Sequence, residues 1–208
     1  NAPLGDISTG KQWISAAPGT ASLTNAPGSL PVYHTTGFIN NRGNTVQCVG
    51  YLGGGPNYFS IDANQTFAGD LTFIVNVGNF TGSSAYILGN LTVNRQFRKN
   101  RSGTGQWSFF DGTTEVVSSV YNSANAAVAM STLRRTGTTV SFRDNKTAMG
   151  TGTAGASTTY NQNGLNSGGA GAGMTGDIGE LILFNRFVSD AELDQWYDGY
   201  FKPRWGLP

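Results

Sequence analysis

The sequence predicts an all-β fold, two antiparallel sheets packed face to face with one short helix near the C-terminus, and three observations carry that expectation. Charged residues make up only 12% of the 208 residues and glycine fills 30 positions, a composition suited to strands joined by tight turns. Short apolar or alternating runs recur with turn formers between them, the spacing of a sandwich rather than of a βαβ fold. Only after residue 188 does a helical pattern with its own start signal appear. The length is that of a single domain.

Taken in chain order, residues 1–30 carry Pro3, Pro18 and Pro27 and few apolar pairs, and read as an extended arm; residues 31–208 read as the sandwich. Strand-like runs follow at 31–39, 45–52, 58–62, 70–77, 85–88, 107–110, 128–133, 138–142 and 178–185. The strongest is 70–77, where Leu71, Phe73, Val75 and Val77 alternate with Thr72, Ile74 and Asn76, so one face is apolar and the other mixed. Separators such as Asn40-Asn41-Arg42-Gly43, Thr136-Gly137 and Asp144-Asn145 suit antiparallel hairpins. In the last run Leu181 and Leu183 point one way and Ile182 and Phe184 the other. Both faces then need cover, which marks a central strand.

The helix begins at Ser189-Asp190-Ala191-Glu192, a capping box in which the serine oxygen and the glutamate carboxylate satisfy reciprocal backbone donors. Leu193, Trp196, Tyr197 and Tyr200 form one apolar stripe that is expected to stop before Pro203. Asp190, Glu192 and Asp194 lie near the positive end of this helix, where negative charge is favourable, so a structural use explains them.

Composition also excludes function classes. A net charge of +1 supplies no global field for nucleic acid or membrane. No stretch approaches the ~18 apolar residues of a membrane span. Cys48 stands alone, so no internal disulfide forms, and in its strand-like run it reads as a small buried apolar residue. One His and one Cys exclude a zinc site of the usual ligands. Gly53–Gly55 and the glycine-rich 168–173 lack the Lys-Ser/Thr of a phosphate loop.

The stretch Gly176-Asp-Ile-Gly-Glu-Leu-Ile-Leu-Phe-Asn-Arg-Phe-Val-Ser-Asp-Ala-Glu-Leu, followed by Tyr200 and Trp205-Gly206-Leu207, resembles the C-terminal signature of laminin G-like domains in the concanavalin A-like lectin and glucanase superfamily. Upstream pieces agree in order: Asn57 to Asp62 and Asp70 to Val77 resemble the first core strands, and Arg134 to Phe142 the hairpin before the last ones. The resemblance covers roughly residues 31–207 and implies a jelly-roll sandwich with the closing helix beside it. The superfamily includes lectins, glycoside hydrolases, polysaccharide lyases and structural modules, so function has to come from particular residues.

Glycoside cleavage needs two carboxyls flanking one bond, ~5 to 9.5 Å apart. Asp177 and Glu180 are separated by an odd interval, which sends them to opposite faces of a regular strand. Asp111 and Glu115 flank a turn and read as a solvated hairpin. His34 follows Tyr33, so the two face opposite sides of a strand and form no acid–base pair. No catalytic residue is assigned, and the chain is expected not to be an enzyme. Sandwich modules of this type hold calcium at a loop rim, and Asp62, Asp70, Asp111 and Asp144, at strand ends, are the candidate ligands of a structural calcium. For glycan binding the candidates are Arg95, Arg98, Lys99 and Arg101 around Phe97, with Trp107 following. A basic loop beside an aromatic suits an acidic polysaccharide.

The function expected is that of a non-enzymatic module on a virion or extracellular surface. Compact domains ending in Tyr-x-x-x-x-Trp-Gly-Leu, poor in Cys and rich in Gly, Thr and Asn, resemble those of bacteriophage head fibres, decoration proteins and tail fibres. The arm would attach to neighbouring surface proteins, the module would self-associate as a homo-oligomer, and the sandwich would touch host glycans. The alternative is a secreted bacterial glycan-active enzyme or carbohydrate-binding module.

Overall fold

The computed structural model describes residues 23–25, 32–39, 45–51, 59–81, 85–89, 96–99, 104–118, 128–155, 159–165 and 175–208, with side chains at 69–78, 87–89, 96–99, 104–118, 128–155 and 176–208. Fourteen strands form two antiparallel sheets among these residues. The first sheet has the order β1 (Leu23–Asn25), β4 (Phe59–Ala68), β13 (Thr159–Leu165), β6 (Ala85–Gly89), β7 (Gln96–Lys99), β8 (Ser108–Phe110), β9 (Glu115–Val117). The second has the order β12 (Thr147–Thr153), β11 (Thr139–Asp144), β10 (Ala129–Thr136), β5 (Leu71–Thr81), β14 (Thr175–Phe184), β3 (Thr45–Tyr51), β2 (Val32–Ile39). The predicted all-β sandwich is therefore the observed architecture.

The alternation read in 70–77 does what it implies. Leu71, Phe73, Val75 and Val77 point between the sheets, where they meet Leu133, Val140, Phe142 and Ile178 of their own sheet and Ile87, Leu88, Phe97, Phe109 and Val116 of the other. Each such side chain, once buried, contributes about 1.5 to 3 kcal/mol. The opposite face of β5 carries Ile74, which joins Met130, Val188, Leu193, Tyr197, Phe201, Trp205 and Leu207 in a second cluster beneath the C-terminal helix. Strand β14, central as expected, feeds both: Leu181 and Leu183 pack on the first cluster, Ile182 and Phe184 on the second.

One residue breaks the period of β14. Ile178 lies opposite Val77 and Glu180 opposite Asn76, so Gly179 is an extra residue, a β-bulge. Ile178 consequently faces the sandwich interior while Glu180 and Ile182 face outward. A Cβ on Gly179 would run into the Trp205 indole and sit 2.7 Å from Asn76 Oδ1. Only glycine lets the helix seat its tryptophan on the strand. The bulge also corrects an expectation: Asp177, opposite Gly78, and Glu180, opposite Asn76, share the outer face rather than lying on opposite faces.

The helix starts as read. Ser189 Oγ accepts from the Glu192 backbone N–H at 3.2 Å, the serine half of the capping box. The glutamate half is absent, because Glu192 turns to the Arg186 guanidinium instead. Helix α1 (Asp190–Trp196) does not stop before Pro203. A π-helical turn (Tyr197–Phe201) leads into α2 (Lys202–Trp205), so Pro203 occupies the first turn of a new segment, where a missing N–H is harmless. Gly206, at φ 64°, ends it in the left-handed conformation. The buried stripe is thus Leu193, Tyr197, Phe201 and Trp205, with Trp196 half-buried against Phe184 and Tyr200.

Other expectations change too. Leu23–Asn25, inside the stretch read as an arm, pairs with β4; the rest of residues 1–30 lies outside the described residues. Strands β7, β9, β12 and β13 were not anticipated, since their sequences QFRK, EVV, TAMGTGT and TYNQNGL lack a long apolar alternation.

Candidate functional site

The C-terminal helix covers only part of the second sheet's outer face, and strand register decides what the remainder exposes. In the β10–β11 hairpin Leu133 pairs with Phe142 on the interior face, so Arg134, opposite Ser141, and Arg143, opposite Thr132, project outward. Strand β12 adds Ala148 opposite Arg143 and Thr151 opposite Ser141, across another bulge. These residues floor a cleft of about 540 Å³, walled on the helix side by Asp190 and Asp194 and at the β11–β12 turn by Lys146. Its size falls in the ordinary range for small-ligand sites.

The polar groups of the cleft are cross-braced. Arg134 Nη1 donates to the Val188 carbonyl at 3.1 Å and pairs with Asp190 Oδ1 at 2.8 Å. Arg143 Nη1 reaches the same Asp190 oxygen at 3.2 Å, and its Nη2 pairs with Asp194 Oδ1. Both arginine side chains are more than nine-tenths buried, at 9% and 7% exposure, whereas Asp190 is 71% and Asp194 43% exposed. Burial lowers the Arg134 pKa, Asp190 opposes that effect, and the like charge of Arg143 adds to it, for a net shift downward. Nε of each arginine is buried without a hydrogen-bond partner. Lys146 Nζ donates to Asp198 at 2.6 Å, and that bond, ahead of the surrounding carboxylates, raises its pKa. Phe187, 38% exposed, lies 4.8 Å from the Arg134 guanidinium. The result is a floor of hydroxyls with carboxylates fixed in place by buried cations and an aromatic face beside them.

Among the glycan-binding residues read from the sequence, the described ones lie in strands or in the core and not together on an exposed loop. Arg95 and Arg101 lie outside the described residues. Between them the chain forms β7, an interior strand held by β6 and β8, because Phe97 belongs to the core. That register turns Lys99 inward as well: it is fully buried, 3.5 Å from Asp144 of the other sheet and 4.8 Å from the Trp107 ring centre. Burial lowers the Lys99 pKa and Asp144 opposes the effect. Trp107 is also fully buried, stacked on Phe97 at 5.1 Å. Lys99 and Trp107 therefore present nothing to a ligand in solution. Of the three described candidates, Arg98, Lys99 and Trp107, only Arg98 faces outward, bonded to Ser108 Oγ at 2.7 Å and paired with Glu115.

The four aspartates proposed for calcium are dispersed. Asp62 lies within β4, which runs on to Ala68, rather than at a strand end, and its side chain is outside the described residues. Asp70 accepts from the Gly137 N–H at 3.1 Å. Asp111 caps the β8–β9 turn: Oδ1 accepts from Thr113 and Thr114, and Oδ2 from the Gly155 N–H at 2.6 Å. Burial pushes its pKa up, but these backbone and hydroxyl donors outweigh that and leave it below the ordinary value. Asp144 accepts from Ser131 Oγ at 2.6 Å and pairs with Lys99. Among the described residues no three metal-ligating side chains converge. Glu180, on the same face as Asp177, accepts from the Tyr200 hydroxyl at 2.8 Å and lies 3.6 Å from Arg204. Asp177 is buried. His34 lies opposite Cys48 in the β2–β3 ladder, with side chains outside the described residues.

Sequence reasoning missed the cleft, although a signal existed. A two-residue turn after Thr136 fixes Arg134 opposite Ser141 and places Arg143 on the same face. What the pattern did not carry was the helix wall, since Asp190 and Asp194 meet Arg143 across about fifty residues of chain.

No family model and no curated protein matches the chain. Among solved structures it is similar to domain 4 of the GH43 extracellular arabinanase AbnA from Geobacillus stearothermophilus, solved in complex with arabinotriose, at 10% identity and TM-score 0.58 over 86% of this chain and 88% of that one. It is similar to a native heptameric pentraxin from Limulus polyphemus at 10% identity and TM-score 0.55, over 69% of this chain and 76% of that one. It also resembles Trypanosoma rangeli sialidase at 11% identity and TM-score 0.54, but spans only 29% of that protein. The shared property is the fold: the chain is a concanavalin A-like jelly-roll sandwich of two antiparallel sheets.

Proposed function

We propose that the chain is a glycan-binding module without catalytic activity and that the cleft over β10, β11 and β12 is its binding site. The observation that carries this reading is the pair of buried arginines holding Asp190 and Asp194 at the mouth of a hydroxyl-floored cleft. Fixed planar acceptors orient sugar hydroxyls, and a half-exposed aromatic such as Phe187 covers the C–H face of a ring. The arabinanase domain solved with arabinotriose supports a sugar ligand on this fold. A binding role is further supported by the use of both cleft carboxylates as ion-pair partners, a positioning arrangement rather than one that transfers a proton.

Display on an extracellular or virion surface, of the laminin G-like kind found in phage fibres and decoration proteins, is the remainder of the proposal. It is supported by the residues from Gly176 to Leu207 and by the Gly-, Thr- and Asn-rich composition. Attachment through residues 1–30 and self-association go with it; the pentraxin neighbour is itself heptameric. The test is a glycan panel probed with the purified chain and with Ser141→Trp, which fills the cleft floor. Binding by the parent that the variant loses supports the reading. Equal binding by both places the site elsewhere, and release of reducing ends or unsaturated sugars from any glycan would make the chain an enzyme.

A further inference from the structure

Resting on the reading of the cleft as a glycan site, we infer that its ligand is a neutral sugar presenting adjacent hydroxyl groups, and not an acidic polysaccharide. The argument is one of which charge the solvent meets. Each cation lining the cleft already has a carboxylate partner on the helix: Arg134 and Arg143 share Asp190, Arg143 also takes Asp194, and Lys146 takes Asp198. Both arginine side chains are more than nine-tenths buried and their guanidiniums are held by these carboxylates, so an anion would have to displace the partners to pair with them.

Over the two arginines the cleft turns the carboxylate half of each pair outward: Asp190 and Asp194 are 71% and 43% exposed. At the β11–β12 turn Lys146 and Asp198 are both exposed, at 46% and 57%, and neutralise each other. A carboxylate or sulfate entering here would meet acceptors and like charge, with no free cation on the floor to compensate. A hydroxyl meets the reverse. An ionised carboxylate is an acceptor with two oxygens, and its hydrogen bonds to neutral donors are among the stronger ones. Ser141 and Thr151 side chains line the same space and can both donate and accept, which suits a diol. The arginines therefore serve as positioning residues, fixing the orientation of the two aspartates.

Matched polysaccharide pairs test this: galactan against polygalacturonate, and dextran against dextran sulfate, extended to neutral mannan, glucan and arabinan. The chain is expected to retain at least one neutral member and none of the acidic ones, with affinity little changed by salt because no exposed ion pair forms with the ligand. Ser141→Trp and Thr151→Trp should each weaken that binding by roughly tenfold or more. Asp190→Asn combined with Asp194→Asn should weaken it too and admit an acidic glycan in a salt-sensitive manner. Retention of polygalacturonate or dextran sulfate that the tryptophan variants abolish would overturn the neutral-ligand inference while leaving the cleft as the site. Neutral binding untouched by either tryptophan variant would overturn the cleft itself. No retention of any glycan would overturn both.

Discussion

Replacing Gly179 with alanine puts one methyl group at the point where the sheet and the C-terminal helix are locked together. The added Cβ would lie inside van der Waals contact of Trp205 Cη2, 2.8 Å from Cζ2 and 2.7 Å from Asn76 Oδ1. None of these can give way easily, because Trp205 and Asn76 are fully buried, the indole among Phe201, Tyr197 and Leu207. Overpacking of this kind costs about 1 to 3 kcal/mol. The smaller unfolded-state entropy of alanine returns at most about 0.5 to 1 kcal/mol. A net loss of about 0.5 to 2.5 kcal/mol follows, which for a domain of this size lowers Tm by roughly 1 to 10 °C. Gly199, exposed and with nothing within 4 Å of its would-be Cβ, is the control: its alanine variant should be neutral or slightly stabilising, as helical Gly→Ala changes are. Urea and thermal unfolding of the two variants would measure the difference. If Gly179→Ala melts with the parent, or the two variants move alike, the tryptophan does not sit on the bulge and the outer face of β14 is built differently.

Two further outcomes concern polar pairs between distant elements of the fold. Asp144→Ala should destabilise by about 3 to 5 kcal/mol, because it takes the carboxylate from beside the fully buried Lys99 ammonium and the acceptor from Ser131 Oγ, whereas Lys99→Met with Asp144→Leu should be far closer to neutral in the same unfolding assay. Partial burial of Tyr200, on the π-helical turn, together with its hydrogen bond to Glu180, pushes its pKa up to about 12 from 10.0. The sign follows from a folded value above the unfolded one: the contribution is complete below pH ~10 and is lost as pH rises toward ~12. The parent's urea midpoint should therefore fall more steeply than that of Tyr200→Phe across that window; parallel curves would refute the buried tyrosine–carboxylate pairing.

The parts of the fold that were legible in the sequence are those governed by local period. Alternation at Leu71, Phe73, Val75 and Val77 gave the core strand, two apolar faces gave the central position of β14, and Ser189 gave the helix start. The failures have one physical origin, which is that period-based reading assumes a regular element and an outward charge. The bulge at Gly179 adds a single residue, invisible as composition, and moves Glu180 to the face of Asp177. The π-helical turn does the same for the helix, carrying the stripe past Pro203 to Trp205. The sequence places Lys99 in a basic loop facing a ligand, yet the partner that permits its burial, Asp144, is forty-five residues away in the other sheet. The cleft was half legible: hairpin register places Arg134, Ser141 and Arg143 on one face, but the carboxylates that give it chemical character arrive with the helix.

The central claim is that a neutral glycan occupies the cleft between the β10–β12 face and α1. Titrating an isotope-labelled chain with oligosaccharides cut from whichever neutral polysaccharide it retains, and following backbone amide shifts by NMR, locates the contact directly. Progressive shifts at Ser141, Arg143, Thr151, Asp190 and Asp194, with the outer face of the first sheet around Arg98, Ser108 and Glu115 unmoved, are the result predicted. Shifts centred on Arg98, Ser108 and Glu115 with the cleft silent would contradict it.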